Sequence, residues 1–176
     1  MALQGKFVVN NAHYSPLSIF GVGTFMAFSG NKAYRNRGGC TMVPDNGHYP
    51  RGATGLLSAL KAGLKGGVKT RINTAMKDFP TKFTHAPTDH NEWFGLYRDD
   101  GKIDDYTWIN NVERGNFRLH PIGPMGVSMG CITLQHAADF QVLRKALLHT
   151  QTIAVNGTKL MAYGCIEVVT NGNTCP

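Results

Sequence analysis

Phe117-Arg118-Leu119-His120-Pro121-Ile122-Gly123-Pro124-Met125-Gly126-Val127-Ser128-Met129-Gly130-Cys131-Ile132-Thr133-Leu134 is the stretch on which the fold and the chemistry both turn. Phe117 and Leu119 alternate with Arg118 and His120, the period-two pattern of a strand with one buried face. A Gly/Pro-rich loop follows. Ser128-Met129-Gly130-Cys131 then opens a second apolar run at Ile132-Thr133-Leu134. A thiol at the rim of a glycine-containing turn, with an imidazole upstream in the chain, meets the needs of thiolate catalysis. The base removes the proton, and the turn exposes sulfur and aims backbone N–H groups at a developing oxyanion.

Cys131 is therefore the candidate nucleophile and His120 the candidate base. The plain alternatives are a buried inert thiol and a satisfied core histidine. Ser128 either orients the imidazole or the turn through its hydroxyl, or is a simple turn residue. Gly130 lets the backbone approach an acyl carbon, and the N–H of Cys131 with that of Gly130 or Met129 is the candidate oxyanion hole. Arg118 shares a strand face with His120. It serves either as a bidentate grip on a substrate carboxylate or as a solvated edge residue. A thiol so placed is expected to label with maleimide well below about pH 8.5, the ordinary thiol value.

Upstream, Gly5–Asn10 and Leu17–Ser29 are rich in β-branched and aromatic residues and read as strands, cut by turn formers at Ser29-Gly30-Asn31. A loop-rich span covers Arg35–Thr54. Leu56, Leu57, Leu60 and Leu64 then recur at helical spacing, so residues 55–80 read as a helical insertion in a β scaffold. It is either a lid over the site or a hairpin that packs on the sheet. Glu92–Arg98 reads as a strand bearing Trp93 and Tyr97 on one face, for core packing or as a stacking wall for substrate. Asp99-Asp100-Gly101-Lys102 reads as a hairpin turn returning through Ile103–Asn110, and Asn110–Asn116 as a polar loop. Gln135–His149 is helical, with Phe140, Leu143, Leu147 and Leu148 on its apolar face. Thr152–Tyr163 reads as a hairpin turning at Asn156-Gly157, and Cys165–Val169 as a last strand. The expected fold is mainly β (α+β), a sandwich-like single catalytic domain over residues 1–176 with one helix after Cys131.

The 176 residues carry a formal net charge of +7. No Lys/Arg run with interleaved aromatics accompanies it, which argues against nucleic acid, whereas an anionic polymer such as the cell wall profits from the charge. No signal peptide and no membrane-spanning stretch is read from the sequence. The four cysteines contain no Cys-x-x-Cys pair, and His120 has no second ligand cluster, so no metal site is expected. Cys165 and Cys175 either bridge after export or stay, with Cys40, as unpaired small hydrophobes. The remaining histidines, His48 among them, have no pattern distinguishing them from surface residues. Histidine first and cysteine second is the reverse of the papain order.

His120 followed by Ser128-x-Gly130-Cys131 resembles the motif of the L,D-transpeptidases, cysteine enzymes that remodel peptidoglycan stem peptides. The wider match, Trp93-Phe94-Gly95-Leu96-Tyr97-Arg98-Asp99-Asp100 through Asn116-Phe117-Arg118-Leu119-His120-Pro121, resembles the branch of L,D-transpeptidase-like toxins delivered by type VI secretion. Met129 and Thr133 depart from the housekeeping pattern, where histidine and arginine are usual, and the gap between His120 and Ser128 is shorter. These departures agree better with the toxin branch. The resemblance implies a β-sandwich enzyme without cofactor or metal. Its expected activity is to cleave (L,D-carboxypeptidase) or exchange (L,D-transpeptidase) the terminal D-alanine of tetrapeptide stems through a Cys thioester. It further implies secretion with a type VI delivery component, action in the target's periplasm, and a cognate immunity protein. A housekeeping enzyme forming 3–3 crosslinks and a non-catalytic wall- or partner-binding module are the alternatives.

Overall fold

The computed structural model describes residues 1–50, 54–59, 92–100 and 103–176, the second of these segments through its backbone alone. Twelve strands are found there: β1 (Leu3–Val9), β2 (Ser15–Ile19), β3 (Gly23–Phe28), β4 (Thr54–Ala59), β5 (Phe94–Arg98), β6 (Tyr106–Ile109), β7 (Val112–Gly115), β8 (Arg118–Pro121), β9 (Ile132–Leu134), β10 (Ile153–Ala154), β11 (Met161–Ala162) and β12 (Gly164–Thr170). One α-helix among the described residues, α1 (Ala137–Leu148), follows Cys131. The protein is mainly β, as its strand-forming runs require.

Eight strands close on themselves in the order β1-β12-β4-β5-β8-β9-β3-β2, with β2 returning to β1. The expected two facing sheets are thus one curled sheet, and closure removes the unpaired edges that an open sheet would expose. Alternation fills its interior. Phe7, Val9, Leu17, Ile19, Leu119, Ile132, Leu134, Ile166 and Val168 are buried in one cluster, which Phe140, Leu143 and Leu147 of α1 complete. Leu148, expected on that helical face, is exposed, because it stands one residue round the helix from Leu147.

Three boundaries differ from the sequence reading. Residues 54–59 form β4, hydrogen-bonded between β12 and β5, not the start of a helix. A short apolar run such as Gly55-Leu56-Leu57-Ser58-Ala59 has no period that separates strand from helix. The rest of the proposed insertion, 60–80, lies outside the described residues. Second, β5 pairs with β4 and β8, while β6 pairs with β7 around Asn110-Asn111, whose φ values are 47° and 65°. Asparagine tolerates that left-handed backbone, so the expected polar loop Asn110–Asn116 is instead a hairpin turn at Asn110-Asn111 followed by β7. Third, the Leu17–Ser29 run folds back at Phe20-Gly21-Val22 into β2 and β3.

Cys175 bonds to Cys40 and not to Cys165. Parallel pairing of β12 with β1 carries the C-terminal tail towards the loop at 29–49, where the Gly39 N–H donates to the Thr174 carbonyl at 3.0 Å. Cys165 is a free thiol whose Sγ–H donates to Gln4 Oε1.

Candidate active site

β8 and β9 are parallel neighbours, with His120 opposite Thr133 and Leu119 opposite Ile132. Leu119 and Ile132 point into the barrel, so alternation sends Arg118, His120, Cys131 and Thr133 to the other face. Imidazole and thiol therefore stand on the same face of one strand pair, diagonal to each other. His120 Nδ1 lies 2.8 Å from the Pro121 carbonyl, which only an Nδ1–H can satisfy by donating. That tautomer leaves Nε2 as acceptor, and Thr133 Oγ1 donates to it at 3.2 Å. The Trp93 indole stacks on the ring at 4.2 Å between centroids and 16° between planes, fixing its tilt.

The Cys131 Sγ–H faces the Asn116 carbonyl at 3.9 Å. Burial pushes the thiol up from its ordinary value, and the Arg118 backbone N–H, the Arg118 guanidinium, the N–H of Cys131 and the Arg114 guanidinium pull the other way. The net direction is upward. That direction runs against the expectation of labelling well below the ordinary thiol range.

The turn before the sulfur is over-determined. Ser128 Oγ donates to the Cys131 carbonyl at 2.7 Å, so its hydroxyl closes the turn and does not reach the imidazole. Gly130 adopts φ +101°, and a Cβ there would come within 2.6 Å of Arg114 Nη2 and 2.7 Å of Phe117 Cε1. Its carbonyl accepts from buried Ser29 Oγ at 3.1 Å, and Ser29 Oγ in turn accepts from the Tyr49 N–H at 2.7 Å. Arg35, stacked on Phe28, donates to the Gly126 carbonyl farther back in the same loop. Among the described residues, the N–H groups of Met129 and Gly130 are donors in no turn or loop backbone bond, which suits an oxyanion hole.

Two expected substrate contacts are displaced. Arg118 is 1 % exposed, with Nη1 donating to Asp105 Oδ1 at 2.7 Å and to the Phe117 carbonyl. It lies in the protein beside the sulfur, not at an open surface gripping a carboxylate, because the chain at Asp105 covers this side of the sheet. Tyr97 is buried in a second cluster with Ala162, so it is no stacking wall. Trp93 does reach the site, through His120.

Sequence reasoning missed Thr133, Asn116, Ser29 and Arg114. Thr133 lies in an apolar run that does not show which way it faces. Ser29 and Arg114 act across chain separations that no local pattern marks. His48, expected to be surface-like, is buried with its ring nitrogens facing the carbonyls of Tyr49 and Gly38. Among the described residues no group of three or more His, Cys, Asp or Glu side chains gathers as metal ligands, and no helix is long and apolar enough to cross a membrane.

The described residues thus present a curled, mainly β scaffold with an imidazole on β8 and a thiol on the glycine turn that leads into β9. The chain belongs to the Tlde1 domain family of type VI secretion effectors, whose family model matches residues 23–158. The matched stretch holds His120, Ser128, Cys131 and Arg114, while β1, β2 and β12 lie outside it. No curated protein and no solved structure matches the chain significantly.

Proposed function

We propose that this effector is a cysteine L,D-carboxypeptidase or L,D-transpeptidase acting on peptidoglycan tetrapeptide stems, with residues 1–176 as one catalytic domain. What supports the reading is the parallel pairing of β8 with β9, which sets His120 opposite Thr133, two residues after Cys131, together with the Nδ1–H tautomer pinned by the Pro121 carbonyl.

In this mechanism Thr133 releases Nε2 as substrate enters, and Nε2 accepts the Cys131 proton as sulfur attacks the carbonyl of the third stem residue, diaminopimelate. Coupling proton transfer to attack suits a sulfur held as thiol. The N–H groups of Cys131 and Gly130 or Met129 receive the oxyanion. Collapse breaks the peptide bond, and the imidazolium returns its proton to the departing amine of D-alanine, leaving a thioester on Sγ. Water, deprotonated by Nε2, then releases the shortened stem and regenerates the thiol. Attack by the amine of a free D-amino acid gives exchange instead. Ser128 and Trp93 act as positioning residues, the first on the turn and the second on the ring.

On this reading the effector acts in the periplasm of the target bacterium, is delivered with a type VI secretion component and is inhibited by a cognate immunity protein; membership of a type VI effector family supports the delivery. A net charge of +7 favours an acidic face on that inhibitor. Digestion of purified disaccharide-tetrapeptide, read by mass, tests the reaction. Release of D-alanine that Cys131→Ala and His120→Ala both abolish is the expected result. Release that survives Cys131→Ala, or formation of 3–3 dimers alone, overturns it.

A further inference from the structure

Arg114 lies on β7, outside the strand pair that carries the reacting groups, and is 4 % exposed. Its guanidinium crosses to the loop at 29–49, where Nη1 donates to the Thr41 carbonyl and Nη2 to the Gly47 carbonyl at 3.0 Å. Its partners are neutral. Among the described residues the one carboxylate ion pair beside the site belongs to Arg118 with Asp105, which leaves the Arg114 charge without a contact counter-ion. The cation sits over Phe117 at 5.5 Å and against Gly130, the residue before the nucleophile. A positive charge this buried is costly unless something nearby gains from it.

We infer that Arg114 is a positioning residue for the thiol chemistry: a buried, carbonyl-held cation whose field stabilises negative charge on Cys131 Sγ and at the Gly130 turn. The inference rests on the reading of Cys131 as nucleophile. The charged groups that act on that sulfur are Arg118 from β8 and Arg114 from β7, with Asp105 paired to Arg118. Asp45 from the 29–49 loop opposes Arg114. Asp105 is in contact with Arg118 at 2.7 Å, whereas Asp45 acts on Arg114 with no contact ion pair among the described residues, so the Arg114 charge is the less directly offset of the two cations that favour the thiolate. Two carbonyls clamp it, so its nitrogens need no rearrangement when the sulfur ionises, and this is the preorganisation that makes a fixed charge effective. Burial lowers the guanidinium's own value, yet an arginine stays charged throughout the working range.

The test is iodoacetamide labelling across pH, scored on the peptide holding residue 131 so that Cys165 is read separately. Arg114→Met is expected to raise the labelling midpoint of Cys131 by about one pH unit and slow labelling at neutral pH by about tenfold. Arg114→Lys, which keeps the charge, recovers most of the loss. An unchanged midpoint in folded Arg114→Met overturns the inference, and so does an Arg114→Lys variant as impaired as Arg114→Met. Should Arg114→Met fail to fold, Asp45→Asn decides, since Asp45 is an exposed residue at φ 57° where asparagine is well tolerated. Faster labelling supports the inference; unchanged or slower labelling overturns it. No peptidoglycan enters this assay. Failure of the proposed function would appear as D-alanine release that survives Cys131→Ala, a readout separate from the labelling shift.

Discussion

Gly130→Ala isolates the turn that presents the sulfur, and its effect can be sized from two separate terms. At φ +101° the backbone lies beyond the left-handed well that residues with a Cβ visit, a conformation costing about 1–3 kcal/mol. The new methyl would also meet Arg114 Nη2 at 2.6 Å and Phe117 Cε1 at 2.7 Å. Neither neighbour can step aside, because Arg114 is bonded to Thr41 and Gly47 and the Phe117 ring is buried against Tyr49. Overpacking of that kind adds about 1–3 kcal/mol. Together they predict a loss of about 2–6 kcal/mol, or roughly 4–24 °C in Tm at about 2–4 °C per kcal/mol for a chain of this size. Gly126→Ala is the internal control. It shares the loop and a positive φ of 59°, but its Cβ would approach nothing nearer than Ile122 Cδ1 at 3.8 Å. Its cost is only the left-handed term, about 1–2 kcal/mol. Thermal unfolding of both variants by calorimetry reads the difference. A Gly130→Ala protein that melts with Gly126→Ala refutes the packing argument, and with it the claim that Arg114 is pinned against this turn.

Breaking the Cys40–Cys175 bond by Cys175→Ser is expected to cost about 2–5 kcal/mol, since it closes a loop of sequence separation 135. Chemical denaturation of the folded variant checks this, and an unchanged midpoint contradicts it. Tyr49→Phe is expected to be neutral or to stabilise by up to about 1 kcal/mol, because the Tyr49 hydroxyl is buried without a hydrogen-bond partner among the described residues. A lower melting temperature contradicts that. Tyr49 and Cys131 are both pushed upward by burial, so each stays neutral in the fold after the unfolded chain has ionised. Above their ordinary values the unfolded state binds fewer protons than the folded one, so stability falls as pH rises, first through the thiol range and then through the phenol range. Denaturation midpoints that climb across the alkaline range contradict this sign.

How much of this was legible in the sequence depends on the distance over which each interaction acts. Phe117 and Leu119 against Arg118 and His120 is a period-two contrast that marks β8, and the apolar run Ile132-Thr133-Leu134 marks β9 without showing which way Thr133 faces. The same rule put Arg118 beside the nucleophile but was silent on what covers that face, and the Asp105 carboxylate made it an interior residue. β4 was misread because an apolar run this short has no period that separates strand from helix. Asp99-Asp100-Gly101-Lys102 looked like a better hairpin turn than Asn110-Asn111, although either asparagine accepts left-handed backbone. Sequence proximity suggested Cys165 for Cys175, yet closing a long loop costs little more than closing a short one, and the parallel β1–β12 pairing decided for Cys40. Ser29, Thr41 and Gly47 join the site from a loop far upstream. Only the closed barrel brings them to Gly130.

The account's central claim is a covalent bond between Cys131 Sγ and the shortened stem. Acid-quenched mixtures of the protein with purified disaccharide-tetrapeptide, read by intact mass and then by peptide mapping, test it directly. The expected result is an adduct of the substrate mass less D-alanine on the peptide containing Cys131, accumulating before the shortened product and absent from Cys131→Ala. D-alanine release with no adduct at residue 131 at any quench time would contradict it.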